Sequence, residues 1–400
     1  MNSNITIFFA NTLNLINRNR SLASLLIVFF VIIISDSLFY QLYPKVILLI
    51  EKFFDINKEA HGAVDLTFAP EIWGGVLATV LGTLIIVIAI AAESTPKLMD
   101  LFVRDWISLI FIWFLILASI HSTIIMYYFE PMDRLSSVML NTYIYLPLSS
   151  VLSLPYIFYI LLYSKTDNVI RKLYSLNIAD IKRLKQKPIQ LTMNDSRVIE
   201  HYQHQLMSTI DQFDDLLEYI SFKEAQTEII RRVGDTVRVY MMNKDSYDPK
   251  FFTATDTIRN NPTFRTYVEH QYKDIEDRKT FYEVKSFKMM GNAYIRKMEN
   301  GEYELASLIA NEISSVGLLA LELEQDSLIT DINIRFNTFM RFAIKHAVRN
   351  NEPRNLYNLA FHYSTLLQGY VDRNKIDLLK MGYFYFKFYS NEIYKQAANN

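Results

Sequence analysis

The chain has 400 residues, 51% of them hydrophobic and 14% aromatic, and it sets 41 basic against 42 acidic side chains for a formal net charge of −1. That balance excludes a bulk nucleic-acid binder, which would carry a basic domain. The absence of cysteine excludes disulfides, a thiolate nucleophile and Cys-based zinc or iron–sulfur centres.

Four apolar segments come first in chain order: Leu22–Tyr43, Trp73–Ala92, Trp106–Phe129 and Tyr143–Tyr163. Each reaches the roughly 20 residues that a helix needs to cross a hydrocarbon core of about 30 Å. The first is too long for a signal sequence and lacks a small-residue cleavage site, so it is expected to be a retained helix. Aromatic residues stand at most segment ends, among them Tyr43, Trp73, Trp106, Tyr128 and Tyr163, where amphipathic rings favour the headgroup region. Residues 1–164 are therefore expected to form a four-helix transmembrane domain. With the N-terminus inside, Arg18, Arg20, Lys97, Arg104, Lys165, Arg171 and Lys172 face the cytosol, while the outer loops hold only Lys45, Lys52, Lys58 and Arg134. That bias places both termini in the cytosol. A mean hydropathy of +0.09 is the average of such a membrane part and a polar remainder.

Asp36 lies about 14 residues into the first helix and His121 about 15 into the third, which at about 1.5 Å per residue sets them at similar depth. Ser122, Ser149 and Ser150 share that level. Ionisable groups in a span normally face protein or water. Asp36 and His121 either line a hydrated path as a proton-responsive pair, or are solvated at the interface and hydrogen-bonded to a neighbouring helix. Gly75, Ala78, Gly82 and Ala89 form a small-residue stripe suited to close helix packing, expected inside the four-helix unit. Pro147 and Pro155 permit kinks in the fourth helix.

Between the second and third helices, Glu93, Pro96, Lys97, Arg104 and Asp105 form a cytosolic elbow, with Thr95 as cap and Pro96 at the first position of a short interfacial helix. The elbow is either a plain connection or a transmitter of movement. The stretch Leu77–Trp106, with Thr95, Pro96, Lys97, Leu98, Met99, Phe102, Arg104 and Asp105 in place, resembles the signature of a family of uncharacterised bacterial predicted membrane proteins with a domain of unknown function. The resemblance implies a multi-pass protein of the bacterial inner membrane and brings no activity with it.

Residues 165–242 begin with a basic juxtamembrane segment, Lys165–Pro188, interleaved with Val169, Leu173, Leu176, Ile178 and Ile181. It serves either as a topology flank or as a contact for anionic lipids. After a capping signal at Asn194-Asp195-Ser196, Ile199, Tyr202, Leu206, Ile210, Phe213, Leu217 and Ile220 trace one apolar stripe at helical spacing. The stripe needs a partner, either a helix of the same domain or a second subunit in a coiled-coil seam. Turn chemistry makes Asn243–Asn261 the weakest region for regular structure, expected to separate two helical subdivisions. Residues 243–400 then read as helical hairpins over Lys279–Met298 with Glu302–Leu323, and Ile332–Val348 with Arg354–Val371, closed by the Tyr/Phe-rich Ile376–Ala397. Thr236–Met241 is the best strand candidate in an all-α, bundle or solenoid-like domain.

The chain has no GxxxxGK[ST], GxGxxG, HExxH or GxSxG pattern, so no enzyme signature emerges. Glu200, His201 and His204 are the nearest metal-like grouping, a weak one. No cofactor is implied. The sequence is thus expected to encode a homo-oligomeric channel-like unit for ions or a small solute, controlled by its helical domain. The alternative is a membrane-anchored scaffold or sensor whose helical domain docks a protein partner.

Overall fold

The computed structural model describes residues 19–54, 68–94, 105–128, 135–163, 165–350 and 353–398. Every element among them is helical. By its contacts the chain divides into two compact units, with the division between Val169 and Ile170.

The first unit contains α1 (Arg20–Phe54), α2 (Phe68–Ser94), α3 (Trp106–Tyr128), α4 (Leu135–Met139), a π-helical segment (Leu140–Tyr145) and α5 (Leu146–Tyr163). α1 packs on α3 and α4, and α2 packs on α3 and α5. The fourth apolar helix starts earlier than the composition indicates, because Leu135–Tyr145 joins it. Pro147 explains the π turn before it. Proline has no N–H to donate and its ring crowds the carbonyl four residues back. The helix widens by one residue instead, so that the Leu146 N–H reaches the Asn141 carbonyl. α1 runs through Pro44 to Phe54, past the end of the first apolar segment at Tyr43.

Five described helices are long and apolar enough to cross a membrane: the four of the first unit and Tyr303–Glu322. They differ in cover. In the first four only 17–28% of the apolar window is buried, against 61% in the fifth.

The second unit contains α6 (Thr166–Leu184, from Ile170 on), α7 (Ser196–Tyr219), α8 (Lys223–Asn243), α9 (Glu269–Asp277), α10 (Phe281–Glu299), α11 (Tyr303–Glu322), α12 (Asp326–Asn350), α13 (Arg354–Asp372) and α14 (Ile376–Ala398). Its long helices stack as successive hairpins α7/α8, α10/α11 and α12/α13, with α14 last. First helices touch first helices (α7, α10, α12, α14), and second helices touch second helices (α8, α11, α13). This nearest-neighbour stacking is the solenoid principle, and it explains α11, whose apolar surface is covered by α8, α10, α12 and α13.

Four turns are closed in the same way. Lys279, Gly301, Glu324 and Asn374 adopt positive φ. The following residues Thr280, Glu302, Gln325 and Lys375 donate back to the carbonyls of Ile275, Lys297, Ala320 and Tyr370, the six-to-one bond of a Schellman cap.

Two expectations are corrected, and one open alternative is decided in favour of a partner helix of the same domain. Thr236–Met241 is the end of α8, with Val233, Val237, Tyr240 and Met241 buried at helical spacing. The stripe from Ile199 to Ile220 is buried within the unit, because α10 and α8 cover α7; it offers no seam to a second subunit. Asn243–Asn261 is no linker between subdivisions. Tyr247, Phe251 and Phe252 pack with Tyr240 and Phe281, and Gln203 Nε2 donates to the carbonyls of Phe251 and Thr253 at 2.7 and 2.8 Å. Asp195 caps α7 as expected, accepting from the Arg197 N–H.

Candidate functional site

The π segment places Asn141 in the interior of the first unit, and its carboxamide joins three helices. The indole N–H of fully buried Trp73, on α2, can only donate, so the carboxamide atom 2.8 Å from it is Oδ1. Nδ2 then donates to the Ala118 carbonyl at 3.0 Å and to His121 Nδ1 at 3.1 Å, both on α3. A donor facing Nδ1 requires a lone pair there, which fixes His121 as the neutral tautomer with its proton on Nε2.

Tyr145, at the other end of the π segment, extends the cluster to α1. Its hydroxyl pairs with the Ser35 hydroxyl, and its ring lies 6.3 Å from the His121 ring and 5.6 Å from that of Phe114. Asp36 follows Ser35, and its Oδ1 is buried without a hydrogen-bond partner. In a dry interior an unpaired carboxylate oxygen is costly. His121 is the place in the cluster where a further proton would act. A second proton on His121 would set two donors face to face and break the bond to Asn141.

The structure brings Asp36 and His121 into one neighbourhood through Ser35 and Tyr145 rather than by direct contact. Ser122 is buried beside His121. Ser149 and Ser150 donate to the Leu146 carbonyl of their own helix and do not link helices. Trp73, Asn141 and Tyr145 escape the sequence reading, because Trp73 and Tyr145 look like interface aromatics and Asn141 precedes the apparent start of its span.

The small-residue stripe faces outward. A Cβ added at Gly75 or Gly82 would meet nothing within 4 Å, and Ala78 and Ala89 are exposed. The inner face of α2 carries Trp73, Val80 and Val87 instead. Of the elbow, Pro96, Lys97 and Arg104 lie outside the described residues, as does Thr95, and Glu93 belongs to the last turn of α2. Buried Asp105 caps α3: its Oδ2 accepts from the Ser108 N–H at 3.0 Å, the Ser108 hydroxyl at 2.9 Å and the Tyr159 hydroxyl at 2.9 Å. It fastens the start of α3 to α5.

In the second unit Glu200, His201 and His204 find no completing ligand. Among the described residues no group of three or more metal-ligating side chains converges, and the His201 ring packs edge-on to Tyr202 at 5.5 Å. The basic segment is amphipathic. Ile170, Leu173, Ile181 and Leu184 are buried, while Arg171, Lys182, Lys185 and Lys187 are exposed.

Comparison with protein-family models, with curated proteins and with solved structures finds no significant match to this chain.

Proposed function

We propose that the chain is a multi-pass inner-membrane protein, with both termini cytosolic, whose four-helix unit assembles with further copies of itself into a proton-gated conducting unit for ions or a small solute. The Asn141-centred cluster is the observation that carries this reading. It ties α1, α2, α3 and the π segment together through groups that a single proton rearranges. The uncovered apolar surface of the first unit, with Phe30, Val31, Ile85, Ile86, Val151 and Leu154 exposed, supports a lipid surrounding, since a water-facing protein rarely shows so large a patch. The helices close on the cluster, so a path opens when the cluster rearranges or runs between copies. The hairpin unit is the controlling part, and the Leu77–Trp106 resemblance enters through its topology alone.

Purified protein in liposomes tests this across the histidine range of about pH 5 to 8. The expected result is flux that rises as the pH falls, a loss of pH response in His121→Ala, and flux at all pH values in Asn141→Ala. Absence of flux for a broad panel of ions and voltages, with assembly intact, counts against the proposal.

A second reading, a membrane-anchored docking scaffold, is favoured by the aromatic residues exposed on α13 and α14: Tyr357, Phe361, Tyr383, Phe384, Phe388 and Tyr394. A stoichiometric partner recovered with the full chain from native membranes, together with absent flux, would favour it.

A further inference from the structure

Between α9, α10 and α12 the second unit forms a cavity of about 170 Å³ that is partly open to solvent. Its apolar walls are Ile275, Val284, Phe287 and Ile334, and its polar lining includes Arg278, Asp331 and Arg335. The charges are unevenly matched. Arg278 is paired with Asp274 at 2.6 Å and Asp331 at 3.2 Å, and its Nε is buried without a hydrogen-bond partner. Arg335, half-buried, makes no ion pair or hydrogen bond among the described residues. Its charge is felt by Tyr267 and Asp331 at longer range. Lys288 lies near enough to feel the Arg335 charge, and among the described residues lining the cavity Arg335 is the cation that no carboxylate pairs.

We propose that this cavity binds a small organic carboxylate, its anionic end on the Arg335 guanidinium and its apolar body against Val284, Phe287 and Ile334. A planar carboxylate matches the guanidinium fork in a two-point contact. The size agrees, since a cavity of about 150 Å³ takes up a benzene ring. Asp274 and Asp331 line the same space and disfavour a dianion, which selects a carboxylate over a phosphate. Burial already pushes the Arg335 pKa down from its ordinary value, so an anion there restores what desolvation takes away.

Benzoate is the probe, titrated calorimetrically into the full chain in detergent, with benzyl alcohol as the uncharged analogue and inorganic phosphate as the competing oxyanion. A ligand of this size should bind with Kd on the order of 1 mM. Arg335→Met should weaken it about tenfold or more, and Arg335→Lys by less, because lysine keeps the charge and loses the fork. Gln271→Trp, at an exposed position lining the cavity, should block binding while leaving Arg335 in place, and Gln271→Ala, which loses the same acceptor for the Val268 N–H without adding bulk, should keep binding. Binding that survives both Arg335→Met and Gln271→Trp would overturn the proposal. So would benzyl alcohol binding as well as benzoate, phosphate binding more tightly than benzoate, or no benzoate heat at all.

Discussion

Lys244 and Glu283 bring opposite charges together away from water, with Nζ 2.7 Å from Oε1 and side chains only 4% and 0% exposed. One Glu283 oxygen is left without a hydrogen-bond partner, so the pair is only half satisfied. Removing one partner strands the other in a dry interior, whereas removing both leaves a fillable apolar space. Lys244→Met should therefore cost about 3–5 kcal/mol at neutral pH, and Lys244→Met with Glu283→Leu should fall within about 1 kcal/mol of the parent. Chemical unfolding of the three proteins measures both. The pH dependence has a defined sign. Burial, the largest cause, raises the Glu283 pKa above its ordinary 4.5, and Lys244 holds it back. A raised folded pKa gives stability that is full below about 4.5 and lost as pH rises through the folded value. Lys244→Met removes the restraint, so its deficit should shrink from pH 8 to pH 5, while the double variant shows no such recovery. A pH-independent deficit would show that the carboxylate is not the stranded charge. Residue by residue, polarity inside an apolar run was legible: Asp36 and His121 both belong to the cluster. The partner was not, because Asn141 gains its place only through a π turn that composition does not announce.

The helices and pairings α10/α11 and α12/α13, and the last helix α14, were readable because the 3.6-residue apolar period persists through them, whereas α8 and α9 were not. Thr236–Met241 misled because Thr236, Val237 and Val239 are β-branched, and local preference yielded to the buried face of α8. Of the four repeated caps, Gly301 advertises itself most clearly. Lys279 and Glu324 hold φ of 55° without that signal, at a cost of about 1–2 kcal/mol for a side chain in the left-handed region, while Asn374, also at 55°, is of the type that tolerates it best after glycine. Glu324 is exposed, so Glu324→Gly should stabilise the protein by about 0.5–1 kcal/mol, the gain being reduced by the looser unfolded chain. A thermal melt should show a rise of about 2 °C. An unchanged or lower melting temperature would mean that Glu324 makes a compensating interaction.

At the scale of the whole molecule, the two units bury their apolar residues in opposite ways. The first leaves most of each apolar window uncovered, and the second encloses even its most apolar helix. The proposed topology follows from that contrast and from the basic residues, and the chain is well suited to testing it. With no native cysteine, every introduced thiol reports alone. Gly62→Cys and Arg134→Cys should react with a membrane-impermeant maleimide applied from outside, and Lys380→Cys, exposed on α14, only after permeabilisation. Labelling of Lys380→Cys in intact cells would invert the arrangement. The hairpin order was legible from helix lengths and turns, but the stacking rule was not, since no fixed repeat length marks it. The intervals vary because each first helix has its own length, from 19 residues in α10 to 25 in α12.

The widened turn at Leu140–Tyr145 also bears on descent. A π turn holds one residue more than the α turn it replaces, so a homologue that lacks it would align with a one-residue gap between Met139 and Leu146. Side chains on either side of that gap differ by about 100° in direction around the helix axis, one residue of a 3.6-residue turn. A relative without the extra residue would keep the apolar face of α5 and lose the meeting of Asn141 with Trp73 and His121. The gap, more than overall similarity, would separate kin that retain the polar cluster from kin that retain only the helices.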